Sequence, residues 1–201
     1  MPILARRPVA LPSGQPSAWT ARGGATLMVR GAGPGDFAAQ RAFIDRLSRE
    51  SRYLRFLTGG LVRDEVIADF LRAPDALVAS VDEEGGERIV GNGHYVIGAD
   101  GGAEFAVVVE DGWQGKGLGR ELIRRLIERA RRAGVRRLHG EVLSENRRML
   151  AILRGMGFAT PRHPDDSMLH LASMRLDAPA TVDADRDGSD QWMPRDWFAM
   201  R

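Results

Sequence analysis

The sequence predicts a mixed α/β fold, and three observations support this prediction. Strand-like runs and amphipathic helical runs alternate along the chain between residues 25 and 176. Two early strands, 76–81 and 88–97, flank an acidic turn that contains glycine, as in a β-hairpin. A long amphipathic helix directly follows a glycine-rich loop. Strands interleaved with helices, with hairpins among them, indicate a sheet that is covered by helices.

The elements are predicted in order along the chain. The strands are 25–30, 76–81, 88–97, 103–109, 137–143 and 169–176. The helices are 37 to about 49, about 51–57, about 63–71, and two longer runs that begin near Leu118 and after Ser144. Asp36 is the N-cap candidate of the first helix, and Ser144 is predicted to cap the last one. Gly134 ends the fourth helix and Gly155 with Gly157 ends the fifth.

Composition limits the protein to a few classes. The chain has 201 residues, 43% of them hydrophobic, which suits one domain. It has no cysteine, which excludes a disulfide scaffold, a Cys-ligated metal site and a cysteine nucleophile. The four histidines show no ligand spacing, so no metal is expected. The N-terminus lacks the pattern of a signal peptide and no run reaches the length of about 18 residues that a membrane span needs, so a cytoplasmic protein without membrane contact is expected.

The charge balance gives little support to nucleic-acid binding. Lysine plus arginine number 29 against 27 acidic residues, a net charge of +2. Lys116 is the only lysine, and the arginines that replace lysine elsewhere explain the high pI of 9.6. A nucleic-acid partner is therefore not expected, because no dense basic patch is visible. The sequence leaves a monomer and a homodimer equally open.

Three segments divide the chain. Residues 1–23 are rich in proline and glycine and are predicted to form an N-terminal arm. Residues 24–176 contain all the periodic runs and form the domain. Residues 177–201 begin with small and acidic residues and are predicted to be a partly flexible C-terminal tail, although Trp192 and Trp197 near its end favour docking of that part on the domain.

The stretch from Val107 to Arg120 is the most informative part of the sequence. A valine-rich strand enters a turn with four glycines, and the turn opens the long helix. Such a turn lets backbone N–H groups converge on an anion, and the helix N-terminus adds partial positive charge. Lys116 is followed by glycine, so the P-loop pattern does not fit, and no register gives the dinucleotide fingerprint.

The pattern that fits is Gln114-x-x-Gly117-x-Gly119, which resembles motif A of the GNAT superfamily of acetyl-CoA-dependent N-acyltransferases. A second similarity follows, in which Asn146 opens a helix that ends in Gly157-Phe158. The resemblance covers about 25–176. Residues 48–56 and 103–109 are further similar to the acetyltransferase domain of bacterial protein-lysine acetyltransferases.

The resemblance implies a central, largely antiparallel twisted sheet flanked by helices, with a splayed strand pair at the cofactor. It implies acetyl-CoA as cosubstrate. The backbone edge of Val107, Val108 and Val109 would pair with the pantetheine arm, and Asn146 would bond to it. The pyrophosphate would be held by the turn and helix start, namely Gln114, Gly115, Lys116, Gly117, Leu118, Gly119 and Arg120.

The resemblance also implies an amine acceptor, and an amine that arrives protonated needs a base. Glu104 is the candidate, because it stands in an otherwise apolar strand where burial would raise its pKa. Glu110 and Asp111 are the next candidates. His94 and Tyr95 on the preceding strand are candidates for lining the acceptor site.

One departure from the family keeps alternatives open. Many relatives carry a tyrosine seven residues after the asparagine, where it protonates the leaving thiolate, and this chain has Leu153 there. The leading interpretation is transfer to a protein lysine by direct attack in a ternary complex. The alternatives are transfer to a small amine (polyamine, aminoglycoside or amino acid), a non-catalytic acyl-CoA sensor, and a transferase acting on charged tRNA.

Overall fold

The computed structural model describes residues 15–177, which form one seven-stranded sheet and five helices. The strands are β1 Ser17–Thr20, β2 Thr26–Gly31, β3 Leu77–Glu83, β4 Gly86–Ile97, β5 Gly102–Val109, β6 Arg137–Leu143 and β7 Leu169–Arg175. The helices are α1 Phe37–Arg46, α2 Arg49–Phe56, α3 Asp64–Arg72, α4 Leu118–Arg132 and α5 Arg147–Arg154.

The strands lie in the sheet in the order in which they occur along the chain. Every neighbouring pair is antiparallel except β5 and β6, which are parallel and are connected through α4. A parallel pair needs such a crossover. The pairs β1–β2, β3–β4 and β4–β5 are hairpins, whereas helices α1 to α3 lie between β2 and β3 and helix α5 lies between β6 and β7. The predicted mixed α/β fold with a largely antiparallel sheet is confirmed.

Alternation along β5 gives the sheet two buried faces. Phe105 and Val107 belong to the larger core, which α4 and α5 cover. Val108 points to the opposite face and packs in a second core with residues of α1 and α3, among them Phe43 and Ile67. Because consecutive side chains of a strand leave opposite faces, one strand serves both cores. The central strands are therefore buried on both sides of the sheet.

Helix α4 follows its predicted apolar stripe. Leu122, Ile123 and Leu126 are fully buried against the sheet. Such a stripe, repeated every three to four residues, holds an amphipathic helix on a core. Glu121 is also largely buried, and ion pairs with Arg124 and Arg125 compensate its charge at 2.7 Å each.

Two details of the N-terminal half differ from the prediction. Residues 17–20, expected within the arm, form β1 and pair with β2. The helix expected over 37–49 ends at Arg46, because Leu47 is extended (φ −61°, ψ 140°). The Ser48 hydroxyl then accepts a hydrogen bond from the Ser51 N–H and caps α2.

The last helix also begins differently from the prediction. Its N-cap is Asn146 and not Ser144, since the Asn146 side chain accepts a hydrogen bond from the Met149 N–H. The rest of the predicted arm, residues 1–14, and the predicted tail beyond Asp177 lie outside the described residues. Trp192 and Trp197 are among the latter.

Candidate active site

The site begins where two neighbouring strands separate. β5 and β6 pair only over three residues, and Glu104 opposite His139 is the last pair. Beyond it, β5 continues to Val109 on the β4 side and β6 continues beside β7. Gly140 lies at this point, where a Cβ would be 3.0 Å from the Phe105 carbonyl oxygen. The predicted splayed pair is therefore present, and it leaves one edge of β5 without a strand partner.

A cleft of about 110 Å³ lies at this separation. Five elements line it: β5, the loop after it, and helices α2, α4 and α5. The predicted residues that line it are Val107, Val108, Val109, Gln114, Gly115, Gly119 and Asn146. The residues that the sequence reasoning did not name as site residues are Ser51, Leu54, Arg55, Arg148, Met149 and Ile152.

The loop after β5 contributes Gln114 and Gly115 to the lining of this cleft. Gly117 precedes the first residue of α4 and has a φ of 96°, which an L side chain rarely adopts. Trp19 of β1 packs beside it, so that a Cβ on Gly117 would be 3.4 Å from the indole. The first N–H groups of α4 have no partner within the helix. This geometry fits a phosphate or pyrophosphate.

Asp111 fastens this loop to α2. One of its carboxylate oxygens accepts hydrogen bonds from the Ser48 and Ser51 hydroxyls, at 2.7 and 2.8 Å, and the other accepts the Ser48 N–H at 2.9 Å. Burial alone would raise the pKa of Asp111, but these hydrogen bonds outweigh it and lower the pKa. The position of the loop is therefore set from the α2 side of the sheet.

The Gln114 side chain extends across the cleft. Its amide nitrogen donates to the Val109 carbonyl at 3.1 Å and to the Ser51 hydroxyl at 3.0 Å. Its amide oxygen accepts a hydrogen bond from Arg148 of α5 at 2.8 Å. Gln114 thus connects the end of β5 with a helix on the other side of the strand separation.

Asn146 is both a helix cap and a cleft residue. Its side-chain oxygen accepts the Met149 N–H at 3.1 Å, as an N-cap does. The cap uses the oxygen alone, which leaves the amide NH₂ for a ligand. The structural role does not exclude the predicted one.

Three other predicted cofactor residues keep their side chains out of the cleft lining. The Lys116 ammonium lies 4.4 Å from the centre of the Trp113 ring. Arg120 donates to the Gly155 carbonyl at 3.1 Å. Leu118 is buried in the larger core. Each can still offer its backbone N–H to an anion at the start of α4.

Glu104 lies at the base of the strand separation. Its side chain is half-buried, and burial followed by the charge of Glu141 raises its pKa, while Arg55 lowers it. Burial also affects Arg55, whose pKa it lowers to about 10. The negative charge of Glu104 acts in the opposite direction but does not outweigh burial. Glu104 is not among the residues that line the cleft, but it lies on the strand whose later residues, from Val107 onward, do. Its raised pKa makes the carboxylate a stronger base than an exposed glutamate.

The other candidate bases are engaged elsewhere. Glu110 accepts hydrogen bonds from Arg88 at 2.8 Å and lies 3.5 Å from Arg46. Asp111 is held by the serines of α2. These partners keep both side chains in structural roles.

His94 and Tyr95 leave opposite faces of β4. His94 is 4% exposed and meets the Phe70 ring edge-on, with 5.4 Å between the ring centres. Burial and the charge of Arg55 lower the pKa of His94 to about 3, so it stays neutral at physiological pH. Tyr95 is buried in the larger core on the side of α4. Neither residue lines the cleft.

Leu153 occupies a core position. It is fully buried in the larger core, whereas Met149 and Ile152 of the same helix line the cleft. The departure from the tyrosine of many relatives is therefore part of the packing of α5 on the sheet.

Comparison with known proteins agrees with this geometry. A model of the acetyltransferase (GNAT) family matches residues 41–158. A curated acetyltransferase of Pseudomonas aeruginosa is 36% identical over 150 residues, which cover 72% of this chain and 81% of that protein.

Solved structures share the fold. The GNAT domain of S. lividans PAT superposes with a TM-score of 0.70 at 26% identity, over 80% of this chain and 96% of that one. A Salmonella typhimurium protein, solved with its cofactor acetyl-CoA, has a TM-score of 0.59 at 24% identity, over 79% of this chain and 98% of that one.

The fold, the cleft and these relatives define an acetyltransferase. The chain belongs to the acetyltransferase (GNAT) family, which confirms the resemblance seen in its motifs. It is an acetyl-CoA-dependent N-acyltransferase, with acetyl-CoA as cosubstrate.

Two other kinds of site are not found within residues 15–177. None of the helices there is long and apolar enough to cross a membrane. No group of three or more histidine, aspartate or glutamate side chains within this part of the chain could hold a metal ion.

Proposed function

We propose that the protein transfers the acetyl group of acetyl-CoA to a primary amine, with the lysine side chain of a protein as the leading acceptor, and that Glu104 is the base. The observation that carries the proposal is the half-buried Glu104 carboxyl at the end of the β5–β6 pairing. Val107, three residues further along the same strand, lines the cleft in which the thioester would be bound.

Two groups of residues bind the two parts of acetyl-CoA. The start of α4 and the glycine turn hold the pyrophosphate, and the free edge of Val107–Val109 and the Asn146 amide hold the pantetheine. These groups fit the cosubstrate because they offer backbone donors to an anion and an unpaired strand edge to an amide chain. Acetyl-CoA supplies an acetyl carbon that is activated as a thioester.

Glu104 is the base that removes a proton from the acceptor amine. The amine arrives as an ammonium ion and gives one proton to the Glu104 carboxylate, which leaves a nucleophilic nitrogen. As the nitrogen–carbon bond forms and the carbon–sulfur bond breaks, the second proton of the nitrogen neutralises the thiolate. Glu104 then returns its proton to water. Because a thiol has a pKa near 8.5, the thiolate leaves without an acidic side chain at the position of Leu153.

A binding site built for a small polycationic amine has less support. The acidic hairpin 82–87 would be its natural binding group, but Glu87 pairs with Arg30 at 2.7 Å and Glu83 with Arg88 at 2.8 Å. Neither Glu83 nor Glu87 lines the cleft. Glu83 and Glu87 therefore have ion-pair partners within the sheet.

Thiol release from acetyl-CoA tests the proposal. The panel contains a lysine-bearing peptide, spermidine, an aminoglycoside and free amino acids. We expect release with one acceptor class and a loss of about 100-fold or more in kcat in Glu104→Gln, the size of effect that general bases have. Glu84→Gln, on the exposed hairpin tip, is the matched control and keeps the wild-type rate. Binding of acetyl-CoA without release on any amine would overturn the proposal in favour of the sensor.

A further inference from the structure

A second carboxylate accompanies Glu104 on the same face of the sheet. Glu104 lies opposite His139 of β6, and Glu141 is two residues further along β6, so the three side chains leave one face. The Glu141 side chain is 14% exposed. β5 and β6 no longer pair beyond His139, so Glu141 has no strand partner on the β5 side.

The two carboxylates influence each other. After burial, the charge of Glu141 is the main cause of the raised pKa of Glu104. Burial also raises the pKa of Glu141, and the charge of Asp166 raises it further. His163, whose Nε2 lies 3.9 Å from a Glu141 carboxylate oxygen, lowers it. The titratable and charged groups that surround the pair are Arg55 of α2, His94 of β4, His139 of β6, and His163 and Asp166 before β7.

Positive charge around the pair is scarce. Arg55 is the one arginine that acts on Glu104, and the Glu104 carboxylate accepts no hydrogen bond from residues 15–177. Two like charges that are half-buried beside each other are costly unless a cation joins them. A primary ammonium ion brings one positive charge and three N–H donors, which suits two carboxylates.

We propose that Glu141 is a specificity-determining residue that, together with Glu104, receives the acceptor as an ammonium ion. The inference rests on the proposed function and adds the class of acceptor. That class is an amine on a chain without a neighbouring carboxylate, as in a lysine side chain or a polyamine. The α-amine of a free amino acid would bring a third negative charge to the pair and is discriminated against.

The wild-type enzyme gives the first test. The probes are Nα-acetyl-lysine amide, spermidine and alanine, each followed by thiol release from acetyl-CoA. We expect at least one of the first two to have a kcat/KM about 100-fold or more above that of alanine, the result of two carboxylates repelling a third. The better of the two identifies the source of the ammonium group. A kcat/KM for alanine that equals or exceeds both would overturn the inference.

Glu141→Gln gives the second test, with Glu84→Gln as the exposed control. We expect the KM of the preferred amine to rise at least about tenfold, because one charged contact to the ammonium is lost. The affinity for acetyl-CoA stays unchanged. The acidic limb of kcat/KM moves to lower pH, because removal of the neighbouring negative charge lowers the pKa of Glu104. A Glu141 that acts on Glu104 only through its charge would move the limb without raising the KM, and that result would overturn the inference.

The outcomes separate the inference from the proposed function. Glu141→Asp retains the charge and keeps the acidic limb at its wild-type pH, which tests the role of charge if Glu141→Gln fails to bind acetyl-CoA. An unchanged KM in Glu141→Gln, with or without a shift of the limb, would overturn the inference alone. Failure of the wild type to release thiol with every amine would remove the proposed function, and the inference with it.

Discussion

Glu104 of β5 and His139 of β6 form the last pair that joins these two strands, and the cleft opens directly beyond them. The base candidate is thus placed by the topology of the sheet. A parallel pair held by only three residues can separate, whereas the antiparallel neighbours of these strands, β4 and β7, keep each strand in place. The same divergence leaves the strand edge without a strand partner next to the cleft.

The turn before α4 gives the first prediction. Gly117→Ala places an L residue at a φ of 96° and a methyl group 3.4 Å from Trp19. Left-handed backbone costs about 1–2 kcal/mol in a residue with a side chain. We expect the strain to move the turn and to raise the Kd for acetyl-CoA about tenfold, measured by calorimetry.

Gly112→Ala is the matched control for this prediction. Gly112 lies in the same loop, has no positive φ, and a Cβ there would meet nothing within 4 Å. Its affinity for acetyl-CoA stays at the wild-type value. Equal affinities in Gly117→Ala and the wild type would show that the turn geometry does not determine binding.

Asp111 gives a prediction about pH and stability. Hydrogen bonds from Ser48 and Ser51 outweigh burial and lower the pKa of Asp111, so the folded state favours the charged carboxylate. The stabilisation is complete above the unfolded pKa of about 3.9 and is lost as the pH falls through the lower folded pKa. Because Asp111 is exposed, its contribution is about 1 kcal/mol.

Chemical denaturation measures this contribution. Asp111→Asn is expected to unfold more easily than the wild type at pH 7, and the difference shrinks as the pH falls below about 4. Asp82→Asn, on the exposed hairpin, shows neither effect. A difference between Asp111→Asn and the wild type that is constant with pH would contradict the assignment.

Leu153 gives a prediction against the family pattern. Tyrosine at this position would add volume and a hydroxyl to a fully buried core site. We expect Leu153→Tyr to destabilise the protein by about 1–3 kcal/mol without any gain in kcat. Leu153→Met conserves the volume and costs less than about 1.5 kcal/mol. A faster Leu153→Tyr enzyme of wild-type stability, shown by melting and thiol release, would refute this account of the position.

Periodicity in the sequence was sufficient for most of the fold. The apolar stripe of α4 and the alternation of β5 are local patterns, and the structure follows both. The break after α1 escaped detection because Leu47 continues the apolar spacing of the helix while its backbone is extended. Strand β1 escaped because its four residues have no apolar alternation and lie in a proline-rich segment.

The glycine turn of the site could be predicted from the sequence, whereas most contacts between its side chains could not. The glycine string from Gly115 to Gly119 is contiguous, so it identifies the turn without knowledge of the fold. The hydrogen bonds of Asp111 to α2 arise only through the packing of that helix. The effects of Arg55 and Glu141 on Glu104 likewise depend on how α2, β5 and β6 are arranged in the fold. Glu104 was identifiable from sequence because a carboxylate stands out in an apolar strand.

The pH dependence of acetyl transfer tests the central claim most directly. The measurement is kcat/KM for the preferred amine in the wild type and in Glu104→Gln, from about pH 5 to pH 9. Because burial and Glu141 raise the pKa of Glu104, the wild-type rate should rise with pH through a limb above the ordinary glutamate value of about 4.3. Glu104→Gln should be slower by about 100-fold or more and should lack this limb. A Glu104→Gln enzyme with the wild-type rate and the same limb would contradict the account.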